Sequence, residues 1–296
     1  GAVYNDPDGI SETLASVVDQ DYPARRYDVF VVDNGSTDRT PEVIAQWRRD
    51  HPDIIQTRLE DDIQSSYAAR NRGIEASEGE LLCFVDADVT VPHNYLSRVA
   101  ERFEDGSLDY AGCQVQVESK RSTLAGLYNE IYGFPVEKYF ELYRLVPTSC
   151  LTVRRQVFEE VGLFDSRLES GGDTEFGRRV ERAGAEKAFL DVLSVRHPAR
   201  SQFSSLLSKW RRMGRGFAQM TFFHGEGATA GELSVKKHFL PSNPLRIYRD
   251  LRRHQLDGSL WKVLVLMWYK LPLNWSVWFG YKGEQIRLAY GEVARN

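Results

Sequence analysis

Residues 27–38 read YDVFVVDNGSTD, and residues 81–88 read LLCFVDAD. Each is a short apolar run that ends in carboxylates, Asp33 in the first and Asp86 and Asp88 in the second. Runs of this length bounded by polar turn residues read as buried strands. Helical periods surround them. Ile10, Leu14, Val17 and Val18 recur at helical spacing within residues 10–20, and Thr40-Pro41 opens a helix to about Asp50, with proline at a tolerated first-turn position. Residues 54–59 suit a strand and residues 66–76 a helix. Strand and helix alternating at this spacing predict an α/β fold with a mostly parallel sheet flanked by helices on both faces. In such sheets ligands bind beyond the carboxyl ends of the strands. Asp33 and the Asp86–Asp88 pair, 53 residues apart, are therefore expected on one rim.

The second half is less regular. Residues 151–154 suit a strand, 156–161 a short helix, 173–183 a helix with Phe176 and Val180 on one face, and 190–195 a returning strand. Beyond Pro198 the chain becomes helical, basic and aromatic, with a Gly/Ala-rich loop expected near residues 225–231. The expected organisation is a catalytic domain over residues 1–198 and a helical region over 199–296. The chain opens at Ala2-Val3-Tyr4, partway along a strand, so upstream residues are expected.

Composition narrows the class. Of 296 residues, 42% are hydrophobic and 27% charged, which excludes wholesale disorder, collagen and a disulfide scaffold. Cys83, Cys113 and Cys150 show no short spacing; this fits reduced thiols in a cytoplasmic protein and offers no thiolate metal cluster. The net charge of −4 hides a balance of −14 over residues 1–198 and +10 over the rest, where five of the six tryptophans lie. An acidic body with a basic, Trp-rich tail suggests two jobs, or one job done at an anionic surface; no nucleic-acid partner is expected. Residues 260–281 interleave Leu and Val with Trp, Tyr and Lys, but Lys270 and Pro272 interrupt the apolar run, so it is not a spanning segment. Peripheral contact at the cytoplasmic membrane face, a packed helix and a homodimer contact all suit this composition. Arg246, Arg249, Arg252 and Arg253 could meet anionic headgroups.

Several clusters could carry chemistry. Two carboxylates one residue apart, Asp86 and Asp88, can share a hard divalent cation, or they can simply form an acidic turn. Asp33 could accept hydrogen bonds from a base or ribose, while Ser36, Thr37 or Asp38 could cap the next helix. Arg70 or Arg72 could reach a base or phosphate, or lie solvated on a helix. Gly171-Gly172 delivers Asp173 and Glu175 to a helix start, where either carboxylate could serve as general base, or merely be favoured by the helix dipole. His197, after an apolar run, could complete a metal site with Asp88 or be structural.

Taken in order, Val3-Tyr4-Asn5-Asp6, Val31-Val32-Asp33-Asn34-Gly35-Ser36-Thr37-Asp38, Ala69-Arg70-Asn71-Arg72-Gly73, Phe84-Val85-Asp86-Ala87-Asp88, Val161-Gly162-Leu163-Phe164-Asp165 and Gly172-Asp173-Thr174-Glu175-Phe176 form a series. The series resembles the large inverting family of nucleotide-sugar glycosyltransferases with the GT-A fold, over roughly the first two thirds of the chain. The resemblance implies a UDP- or GDP-linked sugar donor and transfer of one hexosyl unit to an acceptor hydroxyl, glycan or lipid-linked. It implies that Tyr4, Asn5, Asp33 and Arg70 hold the nucleoside, that Asp86 lies near the ribose, and that Asp88 binds Mn2+ or Mg2+ with His197 as a further ligand. It implies that Asp173 is the base. The Gln-x-x-Arg-Trp signature of processive synthases is absent, with Lys209-Trp210-Arg211-Arg212 in the comparable region, which favours single-sugar transfer. A sugar-nucleotide nucleotidyltransferase would need a Gly-rich phosphate loop near the start, and none is present. A non-catalytic sugar-binding module would have little use for Asp86, Asp88 and Asp173 together.

Overall fold

The computed structural model describes residues 1–225, 238–254 and 256–293. The chain divides into two compact units. The first comprises residues 1–117, 134–166 and 172–198; the second comprises 118–133, 167–171 and the chain from 199 onward. Residues 118–133, which the sequence groups with the first part, join the C-terminal helices because Ala125, Tyr128 and Ile131 share a buried core with Leu206, Ile247 and Leu266.

In the first unit, β1 (Ala2–Val3), β2 (Val29–Asp33) and β3 (Ile55–Leu59) form a parallel sheet in that order, with Val3 opposite Asp33 and Asp33 opposite Leu59. Parallel neighbours need a crossover, and α1 (Pro7–Val18) and α2 (Thr40–Asp50) supply it. Asp6 starts α1 by accepting the Gly9 N–H at 3.0 Å, with Pro7 in the first turn. Asp38 accepts the Thr40 N–H at 2.9 Å where α2 begins. Val3, Ile10, Leu14, Val31, Ile44 and Ile55 are buried together, so the helices close on the sheet through apolar stripes the sequence displays.

After α3 (Ser66–Ala76), β4 (Leu81–Phe84) enters a second sheet of order β4-β6-β5-β7, in which β5 is Tyr110–Glu118, β6 is Leu151–Arg154 and β7 is Lys187–Pro198. Here β4 and β5 both pair antiparallel with β6. The predicted parallel order therefore holds for β1–β3, and Asp33 and Asp86 follow strands of two separately paired sheets. Strand direction depends on which neighbour a strand meets, and its own apolar pattern does not record that. The strand expected to reach Asp86 stops at Phe84, and Asp86–Val89 form a turn closed by the Val89 N–H on the Asp86 carbonyl at 3.1 Å. The remaining helices of this unit are α4 (Tyr95–Phe103), α6 (Val136–Tyr143), α7 (Arg155–Val161) and α8 (Gly172–Arg182); α5 (Leu124–Tyr132) belongs to the second. Phe84, Phe158, Phe164 and Phe176 stack in one ring cluster, which ties β4, α7 and α8 together.

Among its described residues the second unit is helical: α5, α9 (Phe203–His224), α10 (Pro244–Arg253) and α11 (Leu260–Val293). α9 and α11 cross closely at two glycines. A Cβ on Gly214 would meet the Val277 carbonyl oxygen at 2.0 Å, and one on Gly280 would meet the Arg211 carbonyl oxygen at 2.2 Å. α11 runs through Pro272, with Leu271 and Leu273 buried on either side. Among the described residues, no helix is long and apolar enough to cross a membrane. Most of the expected Gly/Ala-rich loop lies outside the described residues; Gly225 itself ends α9 in the left-handed region, with φ 65°.

Candidate active site

Three groups of the expected residues assemble in the first unit. The first is the carboxyl end of the parallel sheet. Tyr4 follows β1 and is exposed. Asn5 takes a positive φ of 50°, a conformation asparagine tolerates better than most residues. Its N–H donates to Ser36 Oγ at 2.9 Å, and its Oδ1 accepts the Thr37 N–H at 2.8 Å. Asp33 ends β2 and accepts the Ser36 N–H at 3.1 Å. Tyr4, Asn5 and Asp33 thus share one loop cluster, as the β1–β2 register requires.

The second group is a charge triangle. The buried Arg70 guanidinium donates to Asp86 Oδ1 at 2.6 Å and to the Ser66 carbonyl at 3.2 Å. The helical series around it divides its labour. Asn71 grips both the N–H and the carbonyl of Phe164, at 3.1 and 2.8 Å, while Arg72 pairs with Glu60 at 3.5 Å. Asp173 stands at the start of α8 and accepts the Thr174 N–H at 2.9 Å, and the Thr148 backbone N–H also meets it. Its carboxyl is pushed above the ordinary value, chiefly by loss of solvation and further by the Asp86 charge, against the pull of Arg70 and the two backbone N–H groups. Arg70, Asp86 and Asp173 therefore act on one another although they are spread over about a third of the sequence.

The acidic pair at the start of α8 is split by its partners. Glu175 is buried and held by Arg179 at 2.7 and 2.9 Å. Arg179 also donates to the carbonyls of Val161, Gly162 and Leu163. Glu175 is thus a structural anchor for the Val161–Leu163 turn, and Asp173 is the carboxylate left facing Arg70 and Asp86.

The third group joins the turn after β4 to the end of β7. An antiparallel bridge between Thr90 and Arg196, with both N–H to carbonyl distances at 2.9 Å, brings Asp88 beside His197. Asp88 Oδ1 lies 3.6 Å from His197 Nε2. The buried imidazole leans on Phe134, with 4.7 Å between ring centroids, and its Nδ1 lies 2.8 Å from the Pro198 carbonyl oxygen. A carbonyl oxygen only accepts, so Nδ1 carries a hydrogen, and Nε2 is the ring nitrogen that faces the carboxylate. One imidazole nitrogen and one carboxylate at this separation are an acceptable partial donor set for manganese or magnesium. No cluster of three or more His, Cys, Asp or Glu occurs among the described residues, so further ligands would come from a substrate and water.

Two residues that the sequence reading passed over belong here. Tyr67, one helical turn before Arg70, is buried with its ring 5.6 Å from the guanidinium carbon. Its hydroxyl faces the backbone N–H groups of Gly172 and Asp173, and a Cβ on Gly172 would strike the ring at 2.7 Å. Its i, i+3 spacing to Arg70 is a weak clue. Thr148 gave no signal at all.

Residues 2–162 match the model of glycosyl transferase family 2. The chain is 34% identical over 273 residues to glycosyltransferase AglE of Haloferax volcanii, covering 90% of this chain and 89% of that protein. The chain belongs to glycosyl transferase family 2. It is accordingly a glycosyltransferase, with the mixed α/β architecture of the GT-A class. Solved structures agree on the fold. The mannosyltransferase PcManGT from Pyrobaculum calidifontis, in complex with GDP-Man and Mn2+, superposes with a TM-score of 0.62 at 18% identity, over 96% of this chain and 85% of that one. TarS 1–349 from S. aureus, in complex with UDP-GlcNAc, gives 0.55 at 17% identity, over 98% and 90%. The family match ends at residue 162, so Asp173 and His197 rest on the geometry above.

Proposed function

We propose that this glycosyltransferase moves one sugar from a nucleoside-diphosphate sugar to an acceptor hydroxyl with inversion at the anomeric carbon, in glycan or glycolipid assembly. The observation that carries this reading is the environment of Asp173: a half-buried carboxylate that accepts the Thr174 N–H and lies in the field of Arg70 and Asp86, while its neighbour Glu175 is committed to Arg179. The GDP-Man and UDP-GlcNAc complexes of the two solved relatives support a donor of this class.

Tyr4, Asn5 and Asp33 take the nucleoside at the rim of the parallel sheet, and Arg70 fixes Asp86 for the ribose side. Asp88 and His197 would hold Mn2+ or Mg2+, whose charge would offset that of the departing diphosphate. An acceptor hydroxyl is a poor nucleophile at neutral pH, so it needs a base as the new bond forms. Asp173 takes that proton. The acceptor oxygen bonds to the anomeric carbon as the bond from that carbon to the diphosphate oxygen breaks, and the electron pair leaves with the nucleoside diphosphate. A raised carboxyl basicity brings the base closer to the operating pH. Alignment of both substrates in one pocket removes much of the entropic barrier.

The test incubates the full chain with UDP- and GDP-linked sugars and candidate acceptors, with and without Mn2+. It follows nucleoside diphosphate release and the anomeric configuration of the product by proton NMR. Acceptor-dependent release with inverted configuration is expected. A product of retained configuration would overturn the assignment of Asp173 as base.

A further inference from the structure

Helix α11 exposes large apolar side chains on one face. Trp261, Leu264, Trp268, Trp275, Phe279, Ile286 and Tyr290 follow one another at steps of three, four and seven residues, which keeps them in a single stripe. Trp261 is 62% exposed, Trp268 58%, Phe279 53% and Ile286 58%. The stripe covers 30 residues, roughly 45 Å of helix. Scattered apolar side chains on a surface mean little, but a continuous row of this length marks an interaction surface.

The charges beside it have one sign. Between residues 260 and 290 the helix carries Lys262, Lys270, Lys282 and Arg287, and its one carboxylate, Glu284, is buried and held by Gln219 at 2.9 Å and by Arg287. An open depression of about 460 Å³ adjoins the stripe, lined by Arg211, Ser276, Phe279, Lys282, Gly283 and Ile286. Two cations and two apolar side chains line it, and no carboxylate does. In the same unit, α10 buries Ile247 and Leu251 and leaves Arg246, Arg249, Arg252 and Arg253 exposed.

We propose that the exposed face of α11, with the depression beside it, docks on the surface of an anionic phospholipid bilayer. Tryptophan and tyrosine rings reach the boundary between headgroup and acyl chain, where their apolar bodies and polar tips are both satisfied. Arg211 and Lys282 take a lipid phosphate, and Phe279 and Ile286 meet the chain below it. The helix lies along the membrane and does not cross it, in keeping with its interrupted apolar content. Charge selects the occupant. An isologous contact would set this cationic face against an identical one, whereas an anionic bilayer neutralises it.

The test is co-sedimentation of the full chain with vesicles of phosphatidylcholine alone and of phosphatidylcholine mixed with phosphatidylglycerol. Its readout needs neither donor nor acceptor, so it stands apart from the catalytic assignment. Binding is expected on the anionic vesicles and should weaken with added salt. The Trp261→Ser/Trp268→Ser variant should bind at least ~10-fold more weakly, the effect of withdrawing large apolar groups from burial. Lys282→Glu should lose roughly fivefold or more, the share of one cation near an anionic surface. In the unaltered protein, brominated lipid should quench tryptophan fluorescence. Failure to bind anionic vesicles, or binding without quenching and undiminished in both variants, would overturn the proposal. So would a dimer seen by light scattering that the double tryptophan variant dissociates, which would give this face to a second copy.

Discussion

Arg179 holds Glu175 at 2.7 and 2.9 Å, and that grip separates two carboxylates that lie only one residue apart in the sequence. Asp173→Asn should keep donor binding, measured by calorimetry, while transfer falls by ~10²–10⁴-fold, the usual share of a positioned base. Glu175→Gln should do the reverse. Chemistry survives, but Arg179 loses a charged partner in a mostly buried place, so denaturant melts should show a loss of about 1–3 kcal/mol. Equal loss of turnover in both variants, with unchanged stability, would contradict the division of roles.

The raised carboxyl of Asp173 gives a stability prediction of definite sign. In the native state this group holds its proton to higher pH than in the unfolded chain. Between the two pKa values the native state binds more protons, so its contribution to stability falls as pH rises. Asp173→Asn cannot ionise and escapes that loss. Its Tm should exceed that of the unaltered protein at neutral pH, and the two should converge once pH drops below the ordinary carboxylate range. The rate of transfer should decline on acidification from a higher pH than an ordinary aspartate would give, because the base works only when deprotonated.

Tyr67 is the link between Arg70 and the start of α8. Its hydroxyl meets the Gly172 and Asp173 N–H groups, which a helix start otherwise leaves unpaired. Tyr67→Phe should therefore cost about 1 kcal/mol of stability. It should lower kcat while leaving the donor KM unchanged, because Asp173 is less firmly placed. A change confined to KM would place Tyr67 in donor binding instead.

The sequence displays what repeats locally and conceals what depends on a distant partner. Residues 40–50, 66–76 and 151–154 match their predicted elements to the residue, since caps and apolar periods are local. β5 carries no clear strand signal because Gly112 and the Gln114 to Gln116 stretch break its apolar run, and its burial comes from neighbours such as Val146, which a Cβ on Gly112 would strike at 2.2 Å. The antiparallel pairing with β6 depends on a return of the chain that no short pattern encodes. In the site, Asp86 and Asp173 are legible as carboxylates next to element ends, and Arg70 as a cation within a helix. The capture of Glu175 by Arg179, the reach of Tyr67 to Gly172 and the Thr148 contact were not, because each joins side chains whose proximity only the folded chain creates.

Asp88 and His197 make the last prediction. Their donors face each other at 3.6 Å, with the His197 ring fixed from behind by the Pro198 carbonyl and from the side by Phe134. If a divalent ion completes this pair together with the diphosphate, Mn2+ should bind far better in the presence of GDP or UDP than alone, because two protein ligands are too few for a dedicated cage. Asp88→Asn and His197→Gln should each weaken that ternary binding by at least about 10-fold, as changes to metal ligands and their immediate supports do. Titration calorimetry with nucleotide present and absent measures both terms. Binding of equal strength in His197→Gln would remove His197 from the ligand set and leave it as a buried prop for the turn that carries Asp88.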